Sequence, residues 1–240
     1  MRELVSVQNL SKSYKDFSVN NVSFHIPEGK IIGLVGQNGN GKSTIIKCLL
    51  GICSYEGKIE ILGFDMKDND KQAKERIAFV FSECPFDPVL TAKDIGIIMK
   101  SLYKTWSAEV FDSYLKKFGL DKSKKLKEYS KGMLMKIMLA VALSHDSDLI
   151  ILDEPTSGLD PIFRKEILTE LSNYVKDGRK SVLFSTHILS DLEQVADGLL
   201  LVSKGTLIFD GSVADFLNTE KTSSLEAALE RHLGIEAWEP

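Results

Sequence analysis

The chain has 240 residues and a mass of 26.7 kDa, the size of one large domain or of two lobes of one. Hydrophobic residues make up 43% and charged residues 27%, which excludes wholesale disorder, a collagen-like repeat and a disulfide scaffold. Thirty Lys and Arg against 34 Asp and Glu give a net charge of −4, a balance that does not favour a general nucleic-acid binder.

The first thirty residues alternate, with Leu4, Val5, Val7 and Leu10 followed by Val19, Val22, Phe24 and Ile26. That period of two predicts half-buried antiparallel strands, joined by a turn around Lys15-Asp16. Pro27-Glu28-Gly29 predicts another turn. Ile31-Ile32-Gly33-Leu34-Val35 is short and wholly apolar, as in a strand buried on both faces. A glycine-rich loop and a helix over 44–50 follow, with further strands over 58–62 and 76–81. Between 86 and 145 the period changes. Ile95, Ile98, Met99 and Leu102, then Val110, Phe111, Tyr114, Leu115 and Phe118, recur at helical spacing and predict a helical insertion. Apolar strands return over 149–152 and 181–185. The runs 199–202 and 206–209 flank Lys204-Gly205 as a terminal hairpin. A polar helix is expected over 223–233. No run of ~18 apolar residues suggests a membrane span. Met1-Arg2-Glu3-Leu4-Val5-Ser6 suggests no signal peptide.

Cys48, Cys53 and Cys84 are an odd set that suits a reducing cytoplasm. Cys48 and Cys53 lack a second close pair, so no zinc site is expected, and all three read as small buried or half-buried apolar residues. Residues 116–136 concentrate Lys116, Lys117, Lys122, Lys124, Lys125, Lys127, Lys131 and Lys136 against Asp121 and Glu128. This is either a solvated face or a surface that meets phosphates or a membrane.

The chemistry begins at Gly36. Gly36-Gln37-Asn38-Gly39-Asn40-Gly41-Lys42-Ser43-Thr44 fits G-x-x-x-x-G-K-[ST]. Glycines let backbone N–H groups form an anion nest, and the following helix turns its positive N-terminus to the same phosphates. Lys42 would reach the β- and γ-phosphates and the Ser43 hydroxyl would bind Mg²⁺. A second strand, Leu149-Ile150-Ile151-Leu152, ends in Asp153, the metal-associated carboxylate, and Glu154, the general base for the attacking water. Lys42 and Asp153 stand 111 positions apart, a gap that the helical insertion fills.

Tyr129-Ser130-Lys131-Gly132-Met133 precedes this acidic strand by about twenty residues. Pro155-Thr156-Ser157-Gly158-Leu159-Asp160-Pro161 follows it, and Phe184-Ser185-Thr186-His187 ends 33 positions after Glu154. In this order the motifs resemble those of the ATP-binding cassette (ABC) ATPases over roughly residues 3–215. They are similar to the cassettes of bacterial ABC-2-type exporters of antimicrobial or modulin peptides or drugs, whose membrane subunits are separate chains. The resemblance implies an α/β fold: a P-loop NTPase (RecA-like) core with an N-terminal antiparallel β subdomain and an inserted α-helical subdomain. The expected division is core over 1–85 and 146–215, helical subdomain over 86–145, and a short tail over 216–240.

The resemblance also implies roles. Tyr14 would stack on adenine. Ser130, Lys131 and Gly132 would contact the γ-phosphate held by an opposite cassette, and Asp160 would communicate across that dimer. His187 would hydrogen-bond the γ-phosphate and hold Glu154 and water in register. ATP and Mg²⁺ are the expected cofactors. The expected partners are a separate transmembrane permease and a second cassette, identical or not, with no nucleic acid, and the expected location is the inner face of the cell membrane. Two departures stand out. Ser82 stands where the family usually carries a metal-sensing glutamine and is too short to copy its reach, so either Glu83 substitutes or water bridges Ser82 to the metal; Lys131 stands where glycine is common. A soluble non-transport ATPase and a weakly hydrolysing ATP sensor are the alternative readings.

Overall fold

A computed structural model gives the architecture, and residues 2–233 are described. Strand β1 (Glu3–Ser13) pairs antiparallel with β2 (Ser18–Pro27) and with β4 (Glu56–Ile61); β5 (Phe64–Asp65) completes a four-stranded sheet ordered β2-β1-β4-β5. In β2 the alternation is clean from Val22 onward, with Val22, Phe24 and Ile26 buried and Ser23 and His25 exposed, whereas Asn20 and Asn21 before it are both exposed, Asn21 at φ 49°. In β1 it breaks, because Leu4 and Val5 are both buried. The pairing with β2 shifts register between Glu3 and Val5 and again between Val7 and Leu10, where Asn9 takes a φ of 52°. Each extra residue in a bulge moves the following side chains to the other face.

The second sheet has six strands ordered β10-β9-β3-β8-β7-β6. Four of them, β3 (Ile31–Val35), β8 (Ser181–Thr186), β7 (Leu149–Asp153) and β6 (Ile77–Val80), run parallel. On the other side β9 (Gly198–Ser203) is parallel to β3, and β10 (Thr206–Ser212) returns antiparallel through Lys204 and Gly205, both at positive φ. Such a pair of left-handed residues matches the twist of a tight hairpin.

The helices explain why these strands are apolar on both faces. On one face, Leu34, Ile151 and Leu183 pack with the antiparallel sheet and with α1 (Lys42–Leu49). On the other, Val35, Ile150, Val182 and Phe184 meet α3 (Ala92–Leu102), α4 (Ala108–Lys117), α5 (Lys131–Ala142) and α6 (Pro161–Val175). Neighbouring strand residues thus enter different cores, as the two-residue period requires. Between α1 and α3 lies the short α2 (Asp70–Lys74), and α7 (Leu189–Val195) follows β8. Local sequence sets the helix starts. Thr91 and Asp94 form a reciprocal capping box on α3, and Ser107 caps α4.

The chain closes with α8 (Val213–Glu220) and α9 (Leu225–Leu233). The expected polar helix over 223–233 is amphipathic instead. Leu225, Ala228 and Leu229 form a buried stripe at helical spacing and join the core beneath α7. The part of the expected tail over 234–240 lies outside the described residues.

One buried titratable group makes this fold sensitive to acid. His145 follows α5 and stacks on Tyr103 with ring centroids 4.0 Å apart. Burial pushes its pKa from 6.5 down to about 4. The unfolded chain binds the proton more readily, so stability is complete above about pH 6.5 and falls as the pH drops toward 4. Urea unfolding across that range should show this loss, and His145→Phe should flatten the dependence.

Candidate active site

The parallel sheet brings the site together. Because β8 lies between β3 and β7, three C-terminal strand ends sit side by side. They carry the glycine-rich loop, Thr186-His187 and Asp153-Glu154 respectively. Open α/β sheets bind ligands at this edge.

The loop after β3 owes its path to glycine at two positions. A Cβ on Gly36 would come 2.4 Å from the Val202 carbonyl oxygen. Gly41 has a φ of 108°, and a Cβ there would lie 3.0 Å from Phe17 Cζ. Gly41 hands the chain to α1, which starts at Lys42. The buried Lys42 side chain runs back under the loop, and its Nζ donates to the Gly36 carbonyl at 2.6 Å and the Gln37 carbonyl at 3.4 Å. The loop, the first turn of α1, Asp16, Phe17 and Glu154 enclose a cavity of about 540 Å³. Gln37, Asn38, Gly39, Gly41, Ser43 and Thr44 all line it.

Asn40 does not line this cavity. Its Oδ1 accepts from the Lys204 N–H at 3.0 Å and its carbonyl from the Gly205 N–H at 3.2 Å, so it clasps the loop to the β9–β10 turn. Tyr14 also lies outside the lining. It is 47% exposed, beneath Lys12 Nζ at 5.2 Å from the ring centre. Its hydroxyl pKa is raised by burial and then by a hydrogen bond with Cys53, while a hydrogen bond with Thr44 acts the other way. The aromatic facing the cavity is Phe17, which the motif reading passes over because a lone aromatic in a turn carries no pattern.

Across the cavity the two acids are fixed from β8. Asp153 Oδ1 accepts from Ser185 Oγ at 2.7 Å and from Ser43 Oγ at 3.3 Å. Ser185 Oγ also accepts the Glu154 N–H at 3.0 Å. Glu154 stands at φ 52°, a left-handed backbone that is unusual and costly for a non-glycine residue and clusters at functional sites. Its carboxylate reaches two partners. Oε1 is 3.5 Å from Lys42 Nζ, and Oε2 is 2.8 Å from His187 Nδ1. The Asp153 carboxylate and the Ser43 hydroxyl form a hard oxygen donor pair beside a phosphate-sized loop, which fits Mg²⁺. Ser82 follows β6 as a half-buried residue outside the cavity lining, and Glu83 beside it is exposed.

The remaining candidates lie apart from this chain's own cavity. Ser130 and Asp160 cap α5 and α6, accepting from the Met133 and Phe163 N–H groups at 3.3 and 3.0 Å. Ser130, Lys131 and Asp160 are exposed, and a Cβ on Gly132 would lie 3.5 Å from Leu159, so the two caps belong to one surface. Several of the nearby lysines have local partners. Lys117 pairs with Glu170 at 2.5 Å, Lys122 pairs with Asp112 at 3.1 Å, and Lys136 lies 4.3 Å from the Phe163 ring centre. This pairing supports the reading of a solvated face.

The pattern of the family described as ABC transporter matches residues 19–157. The chain belongs to the ABC transporter family. It is similar to the bacitracin transport ATP-binding protein BcrA of Enterococcus faecalis, with 32% identity over 219 residues, 90% of this chain and 71% of that protein. It is also similar to the lantibiotic transport ATP-binding protein SrtF of Streptococcus pyogenes, with 34% identity over 216 residues, 87% and 93% of the two chains. A solved structure described as the ATP binding subunit of an ABC transporter superposes with a TM-score of 0.88 at 27% identity, covering 96% of this chain and 99% of that one. The chain therefore has the P-loop NTPase fold and is an ATP-binding, ATP-hydrolysing cassette of the ABC type.

Ser185 is the site residue that motif reading places in a strand without a task. Because it holds Asp153 and the Glu154 backbone together, Ser185→Ala should lower ATP turnover by roughly 10- to 100-fold, as loss of an outer-shell partner does. Steady-state phosphate release beside a thermal unfolding curve checks this; unchanged turnover in a folded variant would remove Ser185 from the site.

Proposed function

We propose that this ABC cassette binds ATP in the loop cavity, dimerises around it and powers a separate membrane subunit that exports a peptide antibiotic, drug or similar compound. The observation that carries the catalytic half is the Glu154 carboxylate, held at 3.5 Å from Lys42 and 2.8 Å from His187 on the cavity wall. One side of the acid thus faces the phosphate-binding lysine and the other an imidazole. Glu154 would take the proton of the attacking water, and His187 would keep that carboxylate and the water in line with the γ-phosphate. Lys42 and the loop N–H groups would hold the β- and γ-phosphates, with Gly36, Gly39 and Gly41 allowing the approach. Asp153 and Ser43 would hold Mg²⁺, which when bound neutralises charge on the phosphate oxygens. Ser82 would touch the metal only through water. Adenine would lie at the open side, between Tyr14 and the Phe17 face of the cavity.

The second half rests on exposure and on relatives. Ser130, Lys131, Gly132 and Asp160 form one surface away from this chain's own cavity, which suits contact with ATP on an opposite cassette. That cassette is either a second copy or a different chain. The relatives named for bacitracin and lantibiotic transport point to an exported peptide antibiotic. Among the described residues no helix is long and apolar enough to cross a membrane, so a permease partner would hold the cassette at the inner membrane face.

Two substitutions test the catalytic assignment. Glu154→Gln should retain ATP binding and lose turnover by about 10²–10⁴-fold; near-normal phosphate release would sink the general-base role. Lys42→Ala should abolish productive ATP binding, and unchanged nucleotide affinity would count against the phosphate cradle. Phe17→Ala should weaken ATP binding while sparing kcat, a split that saturation kinetics reads directly. Pull-down from detergent-solubilised membranes should bring a multi-span partner with the tagged chain. A cassette that comes alone, or with ribosomal components, would favour the non-transport reading.

A further inference from the structure

Cys48 lies in the last turn of α1, and Cys53 follows in the bend after it. Their sulfurs are 3.4 Å apart. Both are free thiols, Cys48 buried and Cys53 half-buried, while Cys84 sits after β6. A disulfide bond measures about 2.05 Å, so closing one asks for roughly 1.4 Å of approach. The intervening segment can supply it, because it is a bend containing Gly51 at φ 63° and not regular helix.

The surroundings give the two sulfurs different parts. The Cys48 thiol is pushed up to about 12, by burial first and then by Cys53, with Lys12 pulling the other way. Lys12 Nζ donates to Ser54 Oγ at 3.1 Å and so stays beside the pair. A polar hollow of about 360 Å³, lined by Lys12, Ser54 and Tyr55 among others, opens next to the Cys53 segment. The more exposed Cys53 is therefore the sulfur that a small oxidant meets, and Cys48 waits behind it. The same Lys12 Nζ lies 5.2 Å from the Tyr14 ring centre, and the Tyr14 hydroxyl pKa is raised by burial first and then by Cys53 and Cys48, with Thr44 of the cavity wall acting the other way.

We infer that Cys48 and Cys53 form a reversible oxidation site, in which a hydroperoxide converts the dithiol into an intramolecular disulfide beside Tyr14. The Cys53 sulfur attacks the peroxide O–O bond, giving a sulfenic acid and, from hydrogen peroxide, one water. The Cys48 sulfur then displaces the sulfenic hydroxyl, which leaves as a second water with the Cys48 proton. Two electrons pass from the thiol pair to the peroxide, and a dithiol reductant returns them. Disulfide formation draws Cys53 toward Cys48 and so changes the segment beside Ser54, Lys12 and the Tyr14 ring. The nucleotide consequence rests on the proposed role of Tyr14; the oxidation chemistry does not.

The test treats the reduced full chain with hydrogen peroxide, blocks remaining thiols by alkylation and maps peptides by mass spectrometry without reduction. The expected product is a Cys48–Cys53 cross-link, lighter by two hydrogens and reversed by dithiothreitol, with Cys84 alkylated. Sulfinic or sulfonic acid on Cys53 with Cys48 still alkylatable, or Cys53 joined to Cys84 or to another chain, would overturn the site. A fluorescent ATP analogue supplies the second readout. Oxidised protein should bind it several-fold more weakly than reduced protein. Cys53→Ala lacks the sulfur that the peroxide meets first and should bind equally before and after peroxide. Should that variant fail to fold, Cys48→Ala must still lose the cross-link, with Cys53 over-oxidised instead. A complete cross-link with unchanged affinity would overturn the coupling to the nucleotide site. Failure of the reduced wild type to bind the analogue would count against the ATP site alone, since the peptide map needs no nucleotide.

Discussion

The pairing of β8 between β3 and β7 is the constraint on which the site depends. Three segments, the first more than a hundred residues before the other two, meet because one strand hydrogen-bonds to both neighbours in parallel register. Parallel pairing puts all three C-terminal ends on one edge, while the antiparallel sheet with α1 covers one face and α3, α4, α5 and α6 the other. That covering explains why β3, β7 and β8 are so uniformly apolar. It also explains why Ser185, a polar residue within such a strand, can bond to both Asp153 and Glu154.

Buried polar chemistry at this edge rests on hydrogen bonds for Asp153 and on close lysine and histidine neighbours for Glu154. Asp153 is nearly inaccessible, yet its Oδ1 accepts from two hydroxyls. Glu154 carries its charge between a lysine and a histidine, in a backbone conformation that its surroundings must enforce. The same local strain turns the carboxylate out of the strand direction and toward the loop.

Much of this was legible in the residues. The apolar runs at Ile31–Val35 and Leu149–Asp153 could hardly be anything but strands buried on both faces. The spacing of Gly36, Gly41, Lys42 and Ser43 points to a phosphate-binding loop, and the structure places that loop on a cavity wall. What stayed hidden was decided by tertiary contact. Strand β1 departs from its alternation because of bulges that no composition reveals. The apolar stripe of α9 is only three small or medium residues in a charged segment, so its burial depends on the core that receives it. Asn40 looks like any loop residue until the hairpin arrives to accept its clasp. Phe17 and the sulfur pair likewise acquire meaning from neighbours rather than from spacing.

The Asn40 clasp has a consequence in time as well as in space. The loop after β3 is made first, but the turn that secures it, Lys204-Gly205, is 164 positions later than Asn40. At a synthesis rate of roughly 5–20 residues per second, that delay is about 8–33 s. Through this interval the nascent loop has its glycines and its lysine but neither Val202 behind Gly36 nor the hairpin beside Asn40. The loop after β3 is thus completed by a hairpin that leaves the ribosome long after it.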